Sequence, residues 1–280
     1  MKLSISIAIC TIHPRKAVKL LKSLENDVKD DEVLVIVDGP QYNSNELKSF
    51  CSPKRFKVII NKKNNGLSYC RNLAIDLCEN QKLVFFDDDV ILKKNVIKLY
   101  KKYFLKRINI LGGPLLLPHS YPYFPKWIPE GLSSLLGIHI NQEKIWGGNF
   151  GFDVILARKH QLRFQTNLGR IGKQLQCGDD TTFINSYCKF TQSSPAFCRD
   201  LAVEHFISLS RYKLKYLVRR AFWQGRSEIR RNSFFSGFKK EFNRSFNQRN
   251  VDFVYKFIRF FSGIILFTSY LAGCCYEIIF

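Results

Sequence analysis

The sequence lacks several features that would place it in a common class of protein. Its nine cysteines form no Cys-x-x-Cys pair and no Cys/His cluster at zinc-finger spacing. The odd number of cysteines, in a chain of 280 residues, argues against a disulfide framework, so we expect a reducing, cytosolic compartment. The first ten residues lack the long apolar core of a signal peptide and alternate as a strand does, which argues against secretion.

Acidic residues are also few. The chain has 44 lysines and arginines against 23 aspartates and glutamates, a net charge of +21. Such a charge favours polyanionic surroundings, which include nucleic acid, anionic lipid and phosphate-bearing substrates, without choosing among them. The hydrophobic content of 46% is that of a globular protein, which excludes a disordered or fibrous chain.

The first half of the chain alternates short apolar runs with helical stripes. Four runs are typical of buried strands: residues 4–10, 33–37, 56–60 and 83–86. Apolar residues recur at helical spacing after Pro14 and again after Gly66. This alternation predicts an α/β domain with a largely parallel sheet.

Carboxylates follow two of the predicted strands. Asp38 stands after the second strand, and the triplet 87–89, Asp-Asp-Asp, follows the fourth. Ligands bind at the carboxyl ends of strands in such sheets, so these side chains are candidates for one site. Three adjacent carboxylates repel one another unless solvent or a cation neutralises them, and they suit a hard divalent ion such as Mg²⁺. A solvated acidic turn and a phosphoacceptor aspartate of a receiver-like domain are the alternatives.

Three further positions have both a chemical and a structural interpretation. Asp179-Asp180 could supply a general base or could cap a helix. Arg71 follows the turn at Asn65-Gly66 and could contact a phosphate near a helix amino terminus, or could be a surface arginine. His205 could be a third metal ligand from a distant segment or a structural histidine.

Taken in order, these segments resemble family 2 glycosyltransferases over roughly residues 3–225. The resemblance rests on an ordered set of short motifs: Cys10-Thr11, Val37-Asp38-Gly39, Asn65-Gly66-Leu67-Ser68 with Arg71-Asn72, Asp87-Asp88-Asp89, Trp146-Gly147-Gly148-Asn149, Gly178-Asp179-Asp180 and His205. It implies the GT-A fold, with a mixed, mainly parallel central sheet. It also implies an inverting transfer of a sugar from a nucleotide-sugar donor to an acceptor hydroxyl.

The resemblance also implies a role for each matching residue. Donor-binding residues would be Thr11, Asp38, Arg71, Asp87 and Asp88. Positions on the acceptor side would be Trp146, Gly148, Asn149 and Asp179. Mn²⁺ or Mg²⁺ would be held by Asp89, within a DxD motif that starts at Asp87, and by His205. Asp180 would be the general base. Val37 stands where the family often has an acidic residue, which leaves the preferred nucleotide base open.

The carboxyl-terminal region has a different composition. Residues 211–259 contain 14 basic and three acidic residues interleaved with aromatics, and residues 260–276 carry no charge. We therefore expect a glycosyltransferase domain over 1–225 and a basic, helical, membrane-associating region over 226–280, with an apolar helix at 260–276. A single tail anchor, a hairpin or interfacial helix, and a soluble packed helix all fit the run. An anionic membrane surface, on the cytoplasmic side, is the expected partner.

The sequence thus predicts a metal-dependent glycosyltransferase with a lipid-linked or polysaccharide acceptor. The expected process is the synthesis of a cell-surface polysaccharide or glycolipid. A sugar nucleotidyltransferase is the alternative enzyme, but it is expected to carry a glycine-rich basic loop after the first strand, and residues 10–15 contain no glycine. A non-catalytic nucleic-acid-binding protein would explain the net charge but not the acidic triplet, so nucleic acid is not the expected partner.

Overall fold

The structure is a computed structural model that describes residues 3–25, 27–28, 30–40, 47, 56–140, 142–231, 234–245 and 253–279. It contains two compact units, each built from three stretches of the chain. Unit 1 comprises Met1–Leu116, Glu143–Gly172 and Asp179–Phe206, and unit 2 comprises Leu117–Gln142, Lys173–Gly178 and Ile207–Phe280. The domain division after residue 225 is of a different kind and stays a prediction.

The described residues of unit 1 form ten strands. They are β1 (Ser6–Thr11), β2 (Glu32–Val37), β3 (Phe56–Ile60), β4 (Lys82–Asp87), β5 (Val90–Leu92), β6 (Ile110–Gly112), β7 (Leu115–Leu116), β8 (Asn149–Asp153), β9 (Ala196–Phe197) and β10 (Val203–His205). Seven of them form one sheet in the order β3-β2-β1-β4-β8-β6-β9. The pairs β3–β2, β2–β1, β1–β4 and β6–β9 are parallel, whereas β8 is antiparallel to both β4 and β6. The predicted mixed, mainly parallel sheet is confirmed.

The helices of the described residues occur in both units. They are α1 (Pro14–Leu24), α2 (Leu67–Leu77), α3 (Val96–Leu105), α4 (Ser133–Leu136), α5 (Val154–Lys159), α6 (Asp179–Thr191), α7 (Leu214–Arg230), α8 (Phe234–Ser245) and α9 (Phe253–Ile279). Helix α1 begins at Pro14, whose fixed φ suits the first helical position. Its buried side chains include Ala17, Leu20 and Leu24, as the helical stripe predicts.

The central strands of unit 1 are buried on both faces. Ile7 and Ile9 of β1 belong to one hydrophobic cluster, whereas Ala8 belongs to a second cluster. Alternate residues of a strand point to opposite faces, so the sheet has a core on each side. This arrangement explains why these strands appear in the sequence as continuous apolar runs.

A smaller three-stranded sheet in unit 1 has the order β5-β10-β7. Strand β10 is antiparallel to β5, with His205 opposite Val90, and parallel to β7. Because β5 begins directly after the acidic triplet, this pairing returns the chain to the triplet more than a hundred residues later. The short sheet is therefore what places His205 beside Asp89.

Unit 2 has a helical core of its own. Leu217 and Ala221 of α7 and Leu266 and Tyr270 of α9 belong to one buried cluster. Helix α9 has 27 residues and extends beyond the predicted run of 260–276 at both ends. The added residues include two charged side chains, and both have partners. Buried Arg259 donates hydrogen bonds to main-chain carbonyls, and Glu277 accepts hydrogen bonds from arginines of α7. The described residues between 112 and 147 contain short elements such as β7 and α4.

Candidate active site

The acidic triplet lies at the carboxyl edge of the large sheet. Asp87 is the last residue of β4 and is paired with Cys10 of β1. Its main-chain N–H donates to the carbonyl of Gly148 at 3.1 Å, which fixes the strand end against the segment that leads into β8. The buried apolar residues of β4 thus hold three carboxylates at the edge where ligands bind in α/β sheets.

Asp87, Asp89 and His205 form a candidate metal centre. One ligand atom from each of the three residues lies within 4.8 Å of the others. The His205 Nε2 lies 3.1 Å from Asp89 Oδ1, and both side chains are almost completely buried. Carboxylate oxygens with one imidazole, grouped at this separation, are a donor set that fits Mn²⁺ or Mg²⁺ and leaves coordination positions for substrate oxygens.

Asp88, the middle carboxylate, has a different environment. The Thr11 hydroxyl donates a hydrogen bond to it, and the main-chain N–H of His13 donates to the Thr11 oxygen at 2.7 Å. Burial, together with the charge of Asp89, raises the pKa of Asp88 to about 7, although the Thr11 bond opposes this rise. Three carboxylates in this space therefore carry an electrostatic cost that a bound cation relieves.

Asp38 organises the turn before α2. Its Oδ1 accepts hydrogen bonds from Asn61 Nδ2 at 2.9 Å and from the Asn65 N–H at 3.0 Å, and its Oδ2 accepts from the Gly66 N–H at 2.7 Å. Gly66 has a φ of 93°, which a side chain would strain. Asp38 thus joins the end of β2 to the start of α2. Asn65 belongs to the Asn65-Gly66 motif that the sequence singles out, whereas Asn61 was not expected as a participant, because a single asparagine carries no distinctive pattern.

Arg71 connects three segments of unit 1. Its NH1 donates to Asp179 Oδ2 at 2.7 Å, its NH2 donates to the carbonyl of Gly147 at 3.0 Å, and NH2 lies 3.5 Å from Asp87 Oδ1. Burial lowers the pKa of the guanidinium, but the surrounding aspartates outweigh this effect and the pKa is raised. Arg71 is therefore a buried, permanently charged cross-link and not the surface arginine of the alternative interpretation.

The two acidic residues at the start of α6 differ in their surroundings. Asp179 is buried, paired with Arg71, and accepts a hydrogen bond from the Ser68 hydroxyl at 3.2 Å. Asp180 is only partly buried, and its Oδ2 accepts a hydrogen bond from the Gly147 N–H at 2.7 Å. Asp179 therefore holds Arg71 in place, whereas Asp180 keeps a carboxylate accessible to a second reactant.

The two glycines before β8 allow close packing at the site. A Cβ on Gly147 would lie 2.4 Å from Arg71 NH2, and a Cβ on Gly148 would lie 2.7 Å from Asp87 Oδ2. The main chain of Gly147 also bonds both Arg71 and Asp180. Sequence reasoning gave Gly147 no role of its own, although the Gly-Gly pair was the signal for a close main-chain approach.

Asn149 and Trp146 flank these glycines. Asn149 is completely buried, its Oδ1 accepts from the Tyr100 hydroxyl at 2.7 Å, and its Nδ2 donates to the carbonyl of Leu201 at 2.8 Å. These two bonds give Asn149 a structural role in unit 1, and its place on the acceptor side stays a prediction. Trp146 is partly buried against the core of unit 1, and its contact with an acceptor stays a prediction.

The sheet order and the acidic cluster at its edge agree with a glycosyltransferase of the GT-A fold. Residues 7–117 match the family described as Glycosyl transferase family 2. This match agrees with the resemblance that the motifs predicted.

Two curated relatives and two solved structures are similar to the chain. A glucosyl-dolichyl phosphate glucuronosyltransferase of Haloferax volcanii is 24% identical over 243 residues, which cover 81% of this chain and 76% of the relative. An uncharacterized glycosyltransferase of Rickettsia bellii is 27% identical over 192 residues, or 60% of this chain and 28% of that protein.

Among solved structures, TarS 1–349 of S. aureus has a TM-score of 0.56 and 14% identity, covering 99% of this chain and 92% of that one. The mannosyltransferase PcManGT of Pyrobaculum calidifontis, solved with GDP-Man and Mn²⁺, has a TM-score of 0.59 and 11% identity, covering 98% and 75%. At these identities the structures establish the fold.

Proposed function

We propose that the chain is a metal-dependent, inverting glycosyltransferase that moves a sugar from a nucleoside-diphosphate donor to an acceptor hydroxyl. The observation that carries the proposal is the cross-link made by Arg71. It joins Asp87 of the candidate metal centre to Asp179, and Asp180 follows directly in the chain. One buried side chain thus fixes the distance between the carboxylates assigned to the donor and the carboxylate assigned to the acceptor.

The donor occupies the carboxyl edge of the large sheet in this proposal. The nucleoside would contact the end of β1, around Thr11, and the turn organised by Asp38. The ribose and diphosphate would lie beside Asp87 and Asp88. Solved neighbours with GDP-Man or UDP-GlcNAc support a nucleotide-sugar as the donor class. Asp89 and His205, with Asp87, would hold Mn²⁺ or Mg²⁺, which when bound supplies positive charge for the departing diphosphate.

Asp180 acts as the general base. Its carboxylate accepts the proton of the acceptor hydroxyl as that oxygen forms a bond to the anomeric carbon. The bond between the anomeric carbon and the diphosphate oxygen breaks in the same displacement, and its electron pair leaves with the nucleoside diphosphate. Attack from the face opposite the leaving group inverts the anomeric carbon. The Gly147 N–H holds Asp180 Oδ2 and so orients the base.

We further propose that the acceptor is carried on a lipid or on a growing polysaccharide at the cytoplasmic face of a membrane. The name of the Haloferax relative includes a dolichyl phosphate acceptor, which supports a lipid-linked acceptor class. The described residues include one helix long and apolar enough to cross a membrane, Ile258–Ile279, by length and composition. The packing of that helix bears on whether it spans the membrane or lies on its surface.

A donor panel tests the proposed function. Purified protein is incubated with UDP-, GDP- and CMP-linked sugars and Mn²⁺ or Mg²⁺, and release of the nucleotide is measured with water or simple alcohols as acceptors. We expect one nucleotide class to bind and turn over, and EDTA to abolish both signals. If no nucleotide-sugar binds with either metal, the proposal is wrong. Equal turnover in EDTA would remove the metal from it.

A further inference from the structure

We propose that α9 binds an anionic lipid surface with its exposed face, lying in the interface without spanning the bilayer. This inference specifies how the chain would meet the membrane, and it rests on the proposed function only in assuming a lipid-linked acceptor. Binding to lipid is measurable without sugar transfer, so the two proposals fail separately.

The exposed face of α9 is apolar from Phe260 to Ile279. Its large members are Phe260, Phe261, Ile264, Ile265, Tyr276 and Ile279, each more than a third exposed. At 3.6 residues per turn they fall within an arc of about 160°. Residues 260–276 contain no charged side chain. A contiguous apolar strip of this length on one side of a helix is a typical binding surface.

The opposite face of α9 is in close contact with α7. A Cβ on Gly273 would lie 1.9 Å from the carbonyl oxygen of Phe222, and a Cβ on Gly225 would lie 2.1 Å from that of Tyr270. The Ser269 hydroxyl donates to the carbonyl of Val218 at 2.9 Å. The two main chains touch, so neither lipid nor a side chain fits between the helices.

This packing argues against a spanning helix. The contacts pair residue 218 with 269, 222 with 273 and 226 with 277, so α7 and α9 run in the same direction with a constant offset. Helix α7 contains four arginines, Arg219, Arg220, Arg226 and Arg230. If α9 crossed the hydrocarbon, α7 would have to enter it or separate from α9. Charged side chains at that depth are costly, whereas an interfacial position of α9 leaves α7 outside the hydrocarbon.

Charge selects anionic lipid over a second copy of the chain. Residues 211–259 carry 14 basic and three acidic side chains. Among them Lys213 and Lys215, at the start of α7, and Lys256, within the first turn of α9, are exposed. Two such copies would repel each other, whereas an anionic headgroup layer attracts the basic residues while the apolar face enters the acyl boundary.

Vesicle flotation tests the proposal. The full chain is mixed with vesicles of phosphatidylcholine alone or with 30% phosphatidylglycerol as the probe, at low and at high salt. The test variant is Phe261→Ser/Ile265→Ser. The matched control is Leu105→Ser/Phe190→Ser, which removes two comparably exposed apolar side chains from unit 1. Thermal unfolding checks that both variants fold, which we expect because each of the four side chains is about half exposed.

We expect the wild type and the control to float with the anionic vesicles at low salt and to be released by alkaline carbonate. The test variant should lose at least tenfold in partitioning and keep its donor turnover with a soluble acceptor. Resistance to carbonate would show a spanning helix and overturn the proposal. Equal partitioning of the wild type and the test variant would also overturn it. The proposal would likewise be wrong if the wild type bound no vesicles and formed a stable dimer that the test substitutions abolish.

Discussion

Both units of the molecule pair arginines with carboxylates, but the balance of charge differs. In unit 1 the buried Arg71 pairs with Asp87 and Asp179 and lies near Asp180, while the adjoining Asp88 and Asp89 are near Lys16, whose Nζ lies 4.0 Å from Asp89 Oδ2. In unit 2 the partly buried carboxylate of Glu277 is shared by two arginines, Arg226 and Arg230. The carboxylate of unit 2 is therefore fully paired and joins two helices, whereas unit 1 has an excess of carboxylates whose repulsion a bound cation would relieve. An excess of carboxylates is therefore a better sign of a site than paired charge as such.

The largest effect is expected from Asp180→Asn, which tests the reactive end of the unit 1 cluster. The amide still accepts the hydrogen bond from Gly147 but takes no proton, so kcat should fall by about 10²–10⁴. Donor affinity, measured by calorimetry with metal present, should stay near the wild-type value. Asp200→Asn is the matched control, since Asp200 is an acidic residue of unit 1 that accepts hydrogen bonds from the Tyr103 hydroxyl and takes no part in the proposed site. Wild-type kcat in Asp180→Asn would remove this residue from the base role.

The second prediction distinguishes two consequences of the acidic triplet of unit 1, its affinity for a metal and its electrostatic cost without one. Asp89→Asn should weaken Mn²⁺ binding, followed by electron paramagnetic resonance, by at least about tenfold, in line with losses at metal sites. Without metal the same change should not lower the melting temperature, because it removes one of three repelling carboxylates. If metal-free Asp89→Asn had a much lower melting temperature than the metal-free wild type, the three carboxylates would not be in excess without a cation. The difference in charge balance between the two units would then be contradicted.

The sequence predicted the strands and most of the cluster because both follow local rules. The continuous apolar runs specify buried strands, and the aspartates directly after them must lie at the sheet edge. The sequence could not predict that Asp179 is the partner of Arg71, because the bond joins segments 108 residues apart. Nor could it predict the two structural bonds of Asn149, because they depend on the tertiary positions of Tyr100 and Leu201. The position of α9 against α7 depends on contacts at Gly225 and Gly273, which an apolar run does not reveal.

The third effect tests Arg71 as the cross-link of unit 1. Arg71→Met leaves Asp179 buried without its ion-pair partner, which should lower the free energy of unfolding by about 3–5 kcal/mol. Arg71→Lys keeps the charge but cannot bond Asp179 and Gly147 at once, so it should recover stability more than kcat. Arg163→Met is the control, because its pair with Asp76 is exposed on both sides and should contribute about 0–1 kcal/mol. Equal losses in the two Met variants would contradict the role of Arg71.

The fourth effect tests the close main-chain approach at the cluster. Gly148→Ala places a Cβ against the Asp87 carboxylate and should weaken both metal and donor binding. Gly151 lies three residues further along, in β8, and the Cβ of Gly151→Ala would lie 2.8 Å from Val84 Cγ2, away from the carboxylates. Overpacking of this kind costs about 1–3 kcal/mol, so both variants should melt earlier. Only Gly148→Ala should lose metal affinity beyond what its lower stability explains, and the same loss in Gly151→Ala would contradict the argument.

The smallest effect concerns the complete pair in unit 2. Glu277→Gln keeps an acceptor oxygen for Arg226 and Arg230 but removes the charge, so the free energy of unfolding should fall by about 1–2 kcal/mol. Burial raises the pKa of Glu277, but the bonds from the two arginines outweigh it and the pKa is lowered. The stabilisation is therefore present above the ordinary glutamate pKa and is lost as the pH falls through the lowered value. Urea unfolding of both proteins should give curves that differ at neutral pH and converge in acid, with kcat unchanged on a soluble acceptor. A difference that persists in acid would mean that the shape of the Glu277 side chain, and not its charge, joins α7 to α9.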